Sequence, residues 1–150
     1  DVSGAVRNAV DLVAPAIAQR GLDLDVAIAP GLRARAEPDA LAQVLSNLLQ
    51  NAVRYTPPPG VVRVVGALDG ADVLVSVSNS GPGIPAADLP HVFERFYRVG
   101  IARDAASGGA GIGLAIVRQI VESFGGRVGA ESGRGDTCFW FRLPASDAAM

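Results

Sequence analysis

The sequence predicts an α+β fold: a two-layer α/β sandwich whose mixed, mostly antiparallel sheet carries about three helices on one face and leaves the other open. Three observations carry this. Three separated segments show helical spacing of apolar residues. Five or more short runs read as strands, and two of them are joined by an Asp69-Gly70 turn. The chain has 150 residues, 49% of them hydrophobic, which suits one domain spanning 1–150 around one core.

In residues 2–19, Val2, Val6, Val10, Val13 and Ile17 recur at helical spacing, and Arg20-Gly21 reads as the stop. Leu22, Leu24, Val26 and Ile28 alternate with polar or small residues as a strand, which Pro30-Gly31 ends. A short extended stretch, 32–36, precedes a second helix opened by Glu37-Pro38-Asp39, with Leu41, Val44, Leu45, Leu48 and Ala52 on its core face. The run Pro57-Pro58-Pro59-Gly60 stops it. Strands are expected at 61–68 and 73–78, then a Gly/Pro loop at 79–85 and an amphipathic segment at 88–97. Residues 99–110 are small, Gly-rich and patternless, and read as a mobile loop. A helix at 111–124 stops at Gly125-Gly126, strands at 127–131 and 137–143 follow, and 145–150 reads as a frayed tail.

Composition removes several function classes. The 13 basic side chains are all arginine, which excludes a P-loop and a protein-kinase fold, since both need a lysine on phosphate. A net charge of -2 suggests no broad basic surface for nucleic acid. One cysteine and one histidine cannot build a zinc site or an internal disulfide. No apolar run approaches the roughly 20 residues of a membrane span. The opening Asp1-Val2-Ser3 reads as mid-helix, so the chain is expected to be a fragment of a longer protein.

Chemistry concentrates in three places. Asn47 and Asn51 lie four apart on the second helix, and Arg54 and Tyr55 continue their face. An amide oxygen is a hard ligand suited to Mg²⁺, arginine grips phosphate through a fork of donors, and tyrosine offers a stacking face. The alternative is a solvent-facing helix with two idle amides. The segment Asn79-Ser80-Gly81-Pro82-Gly83-Ile84 follows a strand, and its glycines permit close backbone approach, although an ordinary turn would look the same. Gly108 to Leu114 runs from a loop into a helix start, whose free N–H groups suit phosphate.

The order of these pieces resembles the asparagine, first glycine, phenylalanine, second glycine and third glycine boxes of sensor histidine kinases. The matching text is NLLQNAVRYTP (47–57), NSGPGIP (79–85), LPHVFERFYR (89–98), GGAGIGLAIVRQIVESFGG (108–126) and ESGRGDTCFWFRLP (131–144). The resemblance covers nearly the whole chain. It extends to gyrase-type and Hsp90-type ATPases of the GHKL superfamily, and the FERFYR segment points to the kinase branch. It implies the Bergerat-type ATP-binding fold and the catalytic, ATP-binding domain of a two-component kinase, with ATP and Mg²⁺ as cofactors.

By that resemblance Asn51 holds Mg²⁺. Asn47 stands where related ATPases carry a water-activating glutamate, a role an amide cannot take. Arg54 contacts phosphate and Tyr55 stacks on adenine. Arg98 and Arg103 are candidates for stabilising charge on the moving phosphoryl group, and Asn47 is counted with them as a catalytic residue. Gly81, Gly83, Ile84, Gly109, Gly111, Ile112, Gly113, Leu114 and Thr137 complete the implied ATP site. Phe93 and Phe96 are expected to pack. The resemblance implies that residues 99–110 form a lid that orders with nucleotide. Two departures stand out: Asn79 replaces the usual aspartate that accepts from the adenine amino group, and Ala110 replaces a serine or threonine. An asparagine can still accept from that amino group and donate to the adjacent ring nitrogen.

His91 lies inside the phenylalanine box and is not the expected phosphoacceptor. That histidine is implied to sit on a separate dimerisation and phosphoacceptor domain of the same kinase, with a response regulator as the indirect partner. The fragment is expected to be monomeric and to lie on the cytoplasmic side of a membrane-anchored parent. Two other readings are a nucleotide-sensing module without transfer and a GHKL ATPase. Trp140 alternates with Phe139 and Phe141 and is expected on the opposite sheet face, in a structural or interfacial role.

Overall fold

The computed structural model describes residues 1–81, 83–94, 113–133 and 135–146. In chain order its elements are α1 (Val2–Gln19), β1 (Leu22–Ile28), α2 (Pro38–Tyr55), β2 (Gly60–Asp69), β3 (Asp72–Ser80), α3 (Gly113–Ser123), β4 (Arg127–Gly133) and β5 (Asp136–Pro144), with a 3₁₀ turn at Leu89–His91. The strands form one sheet in the order β1-β2-β3-β5-β4. β1 runs parallel to β2, and the other three pairings are antiparallel. The mixed, mostly antiparallel sandwich read from the sequence is therefore the one observed.

Alternation places Val62 and Val64 of β2, Val73, Val75 and Val77 of β3, and Phe139, Phe141 and Leu143 of β5 on one buried face. The helices cover that face with Val6 and Val10 of α1, Leu45 and Leu48 of α2, and Val117 and Val121 of α3. Each such side chain contributes about 1.5–3 kcal/mol on burial, so this face outweighs any single polar bond in the molecule.

Local chemistry sets the ends. The Asp1 carboxylate accepts from the Gly4 N–H at 3.0 Å and caps α1. Pro38 opens α2 behind Glu37, whose side chain makes no capping bond. Ser3, buried in α1, donates to the Ala29 carbonyl at 2.8 Å and accepts from the Leu32 N–H at 2.9 Å. That bond pair holds the segment after β1, and the stretch expected to be extended at 32–36 contributes just an isolated bridge from Ala34 to Ala145.

One boundary differs in a way that matters. β3 continues through Asn79 and Ser80, which the sequence places in a loop. The ladder persists because Asn79 is paired on both sides, with Val62 and with Thr137.

Candidate functional site

The apolar stripe of α2 is buried, which leaves Asn47 and Asn51 half-buried on its flank. Asn47 donates from Nδ2 to the Gly113 carbonyl at 3.2 Å. The first turn of α3 is thereby seated against the amide face of α2. Arg54 is exposed and forms no ion pair among the described residues. Tyr55, the last residue of α2, is 52% exposed. The helix end itself is held firmly: buried Thr56 donates from Oγ1 to the Ala52 carbonyl at 2.5 Å, and Arg20 donates to the Thr56 carbonyl at 2.9 Å.

A second polar group stands on the sheet. Asn79, Thr137 and Ser132 lie side by side on β3, β5 and β4, because cross-strand register pairs Asn79 with Thr137 and Thr137 with Ser132. Asn79 and Thr137 are 8% and 5% exposed, and are among the few buried polar residues described. Asn79 donates from Nδ2 to the Ser80 carbonyl at 3.2 Å. Thr137 Oγ1 lies 3.3 Å from Ser132 Oγ.

The glycine segment is fastened to this row. Ser132 Oγ accepts from the Ile84 N–H at 2.7 Å and approaches the Asp136 carbonyl at 3.2 Å. Gly81, at φ +136°, donates to the Gly135 carbonyl at 3.0 Å, and a Cβ there would meet Pro57 Cδ at 3.0 Å. At Gly83 a Cβ would overlap Ser132 Oγ and come within 2.9 Å of the Gly133 carbonyl. Glycine is required at 81 by conformation and at 83 by space. Residues 55–57, Gly81, Gly83, Ile84, Ser132, Gly133 and residues 135–137 therefore converge at one end of the sheet.

Ile84 and Leu114 pack against the edge of the core. Phe93 is buried edge-on against Phe139, with ring centroids 6.0 Å apart, in the packing role expected of it. His91 is exposed and pairs with Glu94 at 2.7 Å. Arg98, Arg103, Gly109, Gly111 and Ile112 lie outside the described residues, as do Phe96, Ala110 and the whole lid segment 99–110. Ser132 was not singled out from sequence; its one signal is its place beside the last hairpin turn, opposite Thr137.

The other sheet face has a separate character. Trp140 projects there, away from buried Phe139 and Phe141, and its ring covers Gly129. Arg142 lies 5.7 Å above that ring and pairs with Asp69. On the same face, burial raises the Cys138 thiol pKa, the charges of Glu131 and Asp136 add to the rise, and a hydrogen bond with Ser76 opposes it. Among the described residues no cluster of three His, Cys, Asp or Glu could hold a metal, and no helix is long and apolar enough to cross a membrane.

Comparison with known proteins places this arrangement. Residues 36–147 match the family described as histidine kinase-, DNA gyrase B- and HSP90-like ATPases. The sensor protein VanS of Enterococcus faecium is 36% identical over 131 residues, covering 87% of this chain and 34% of VanS. The chain thus spans about a third of that relative's length. The mycobacterial sensor histidine kinase MprB superposes with a TM-score of 0.83 at 28% identity, over 97% of this chain and 96% of that one. Full-length ShkA, solved in complex with AMPPNP, gives a TM-score of 0.83 at 32% identity, over 99% of this chain and 31% of that one. The glycine segment locked to the last hairpin and the amide face set against α3 thus occur in a chain that belongs to the histidine kinase-, DNA gyrase B- and HSP90-like ATPase family, as a catalytic domain of the histidine-kinase type.

Proposed function

We propose that the chain binds Mg-ATP between α2, the 79–84 segment and the start of α3, and donates the γ-phosphoryl group to a histidine on a separate dimerisation and phosphoacceptor domain of the same kinase. The observation that carries this is the Asn47–Gly113 bond, which sets the amide face of α2 against a helix N-terminus. Helix starts favour phosphate, and α3 begins at that contact. The base lies at the sheet end, facing Asn79 and Thr137, with Tyr55 at its margin. Arg54, exposed and without an ion pair among the described residues, is free to meet phosphate.

The donor set suits Mg²⁺ delivered with the nucleotide. Asn51 offers one neutral amide oxygen, and no carboxylate cage stands among the described residues. Mg²⁺ takes few protein ligands and completes its shell from phosphate and water. When bound, it neutralises phosphate charge during transfer. Asn47, being an amide, cannot deprotonate water. That favours transfer to a protein over hydrolysis. The onward acceptor is a response regulator; a solved complex of the histidine kinase ThkA with the response regulator TrrA supports that class of partner.

The test combines binding and transfer. Titration with a non-hydrolysable ATP analogue should show Mg²⁺-dependent affinity that Asn51→Ala reduces by about 10-fold or more. Adding the parent's helical domain in trans with γ-labelled ATP should label a histidine there. Binding without label would leave a nucleotide sensor, and steady hydrolysis by the chain alone would make it an ATPase.

A further inference from the structure

Asn79 is nine-tenths buried and uses one donor, to its neighbour's carbonyl. Among the described residues its Oδ1 accepts no hydrogen bond. No buried side-chain polar atom lacks a partner among the described residues, so this oxygen is reached by solvent and is open to a ligand. Thr137, beside it across β3 and β5, offers a second buried polar atom. These two side chains give the sheet's covered face a polar spot suited to a polar ring edge.

An amide differs from a carboxylate in one respect that decides selectivity. It carries a donor end and an acceptor end of nearly the same shape. A 6-aminopurine presents a donor at position 6 beside an acceptor at ring nitrogen 1. A 6-oxopurine presents the reverse pair. Turning the amide by half a revolution about its last side-chain bond converts a match for the first into a match for the second. A carboxylate has no donor to offer a 6-oxo group.

We infer that this site accepts 6-oxopurine as well as 6-aminopurine nucleoside triphosphates, with Asn79 reading both by turning its amide. The inference rests on the placement of the base at Asn79 proposed above. The bond to Ser80 sets the ratio. With Nδ2 held on the Ser80 carbonyl, Oδ1 is the end left for the ligand, which is the setting for an amino group. Accepting an oxo group surrenders that bond. At 3.2 Å it is a single neutral contact, so the preference for the amino base should be about tenfold, not absolute.

The experiment titrates the 150-residue chain with ATP and with inosine triphosphate, each with Mg²⁺, by calorimetry. The expected result is binding of both, with ATP favoured about tenfold. In Asn79→Asp the ratio should widen by about a further tenfold through loss of inosine triphosphate binding. In Asn79→Ala, which keeps neither end of the amide, both should weaken and the ratio should fall toward one. A parent chain that binds ATP but shows no inosine triphosphate binding at a thousandfold higher concentration overturns the inference. So does a ratio that either folded variant leaves unchanged. If the parent binds neither nucleotide, the reading of the whole site as a nucleotide pocket fails, and that outcome is distinct from the other two.

Discussion

Asn79, Thr137 and Ser132 stand on three hydrogen-bonded strands, whereas Asn47, Asn51 and Arg54 stand on one helix. The strand-borne row is fixed by register, which sets neighbouring side chains about 5 Å apart and leaves them little freedom. Among the described residues, the helix-borne face meets α3 through one polar bond, of 3.2 Å, between half-buried or exposed partners. The sheet end of the groove is thus formed in advance. Under the function proposed above, the base would dock at the end whose geometry the strand register already fixes.

The largest effect should come from forcing the sheet end apart. In Gly83→Ala the new methyl overlaps Ser132 Oγ, and the Gly133 carbonyl blocks retreat. Overpacking of this kind costs about 1–3 kcal/mol of stability, read as a lower thermal midpoint, and where the whole of that strain opposes the bound geometry ATP affinity should fall by about 5- to 150-fold in a direct titration. Unchanged affinity would break the view that this end is preformed.

A gentler pair sharpens the contrast. Ser132→Ala strips the Ile84 N–H of its acceptor and should lower stability by about 1–2 kcal/mol, read as a lower thermal midpoint. Asn47→Ala removes a more exposed bond and should cost about 0.5–1 kcal/mol. A larger loss in Asn47→Ala than in Ser132→Ala would reverse the comparison.

The smallest effect concerns the far face. The raised pKa of Cys138 keeps the thiol protonated at neutral pH. Alkylation of the native chain at pH 8 should therefore be slower than of the unfolded chain, and the rate should climb as pH rises toward and beyond the ordinary thiol value. Equal rates in the two states would show that burial does not protect the sulfur. Modification should leave ATP affinity unaltered, since Cys138 projects away from the row formed by Asn79 and Thr137.

Periodicity exposed what is local. The apolar spacing in α1 and α2, the alternation in β2 and β3, and the four-residue interval between Asn47 and Asn51 were all legible, because each depends on a single element. Two features were not. Asn79 reads as loop because Gly81 and Pro82 follow it, yet pairing on both edges extends β3 past it. Ser132 carries no local mark, since the amide it holds lies 48 residues earlier in the chain. The parallel pairing of β1 with β2 is likewise a product of assembly, set when α2 crosses between them. Roles depending on Arg98, at the end of the phenylalanine box, and on Arg103 and the rest of the lid segment lie outside the described residues.

Trp140, the chain's single tryptophan, rests on Gly129 beneath Arg142, on the sheet face turned away from the polar row. Gly129 is the seat that lets the indole lie flat there, since any Cβ would strike its ring. The molecule therefore carries an intrinsic optical probe anchored to its β4–β5 scaffold, on the opposite face of the sheet from the proposed nucleotide site. Its emission should report the integrity of the sheet, and a variant that loses nucleotide binding with unchanged emission has kept its architecture.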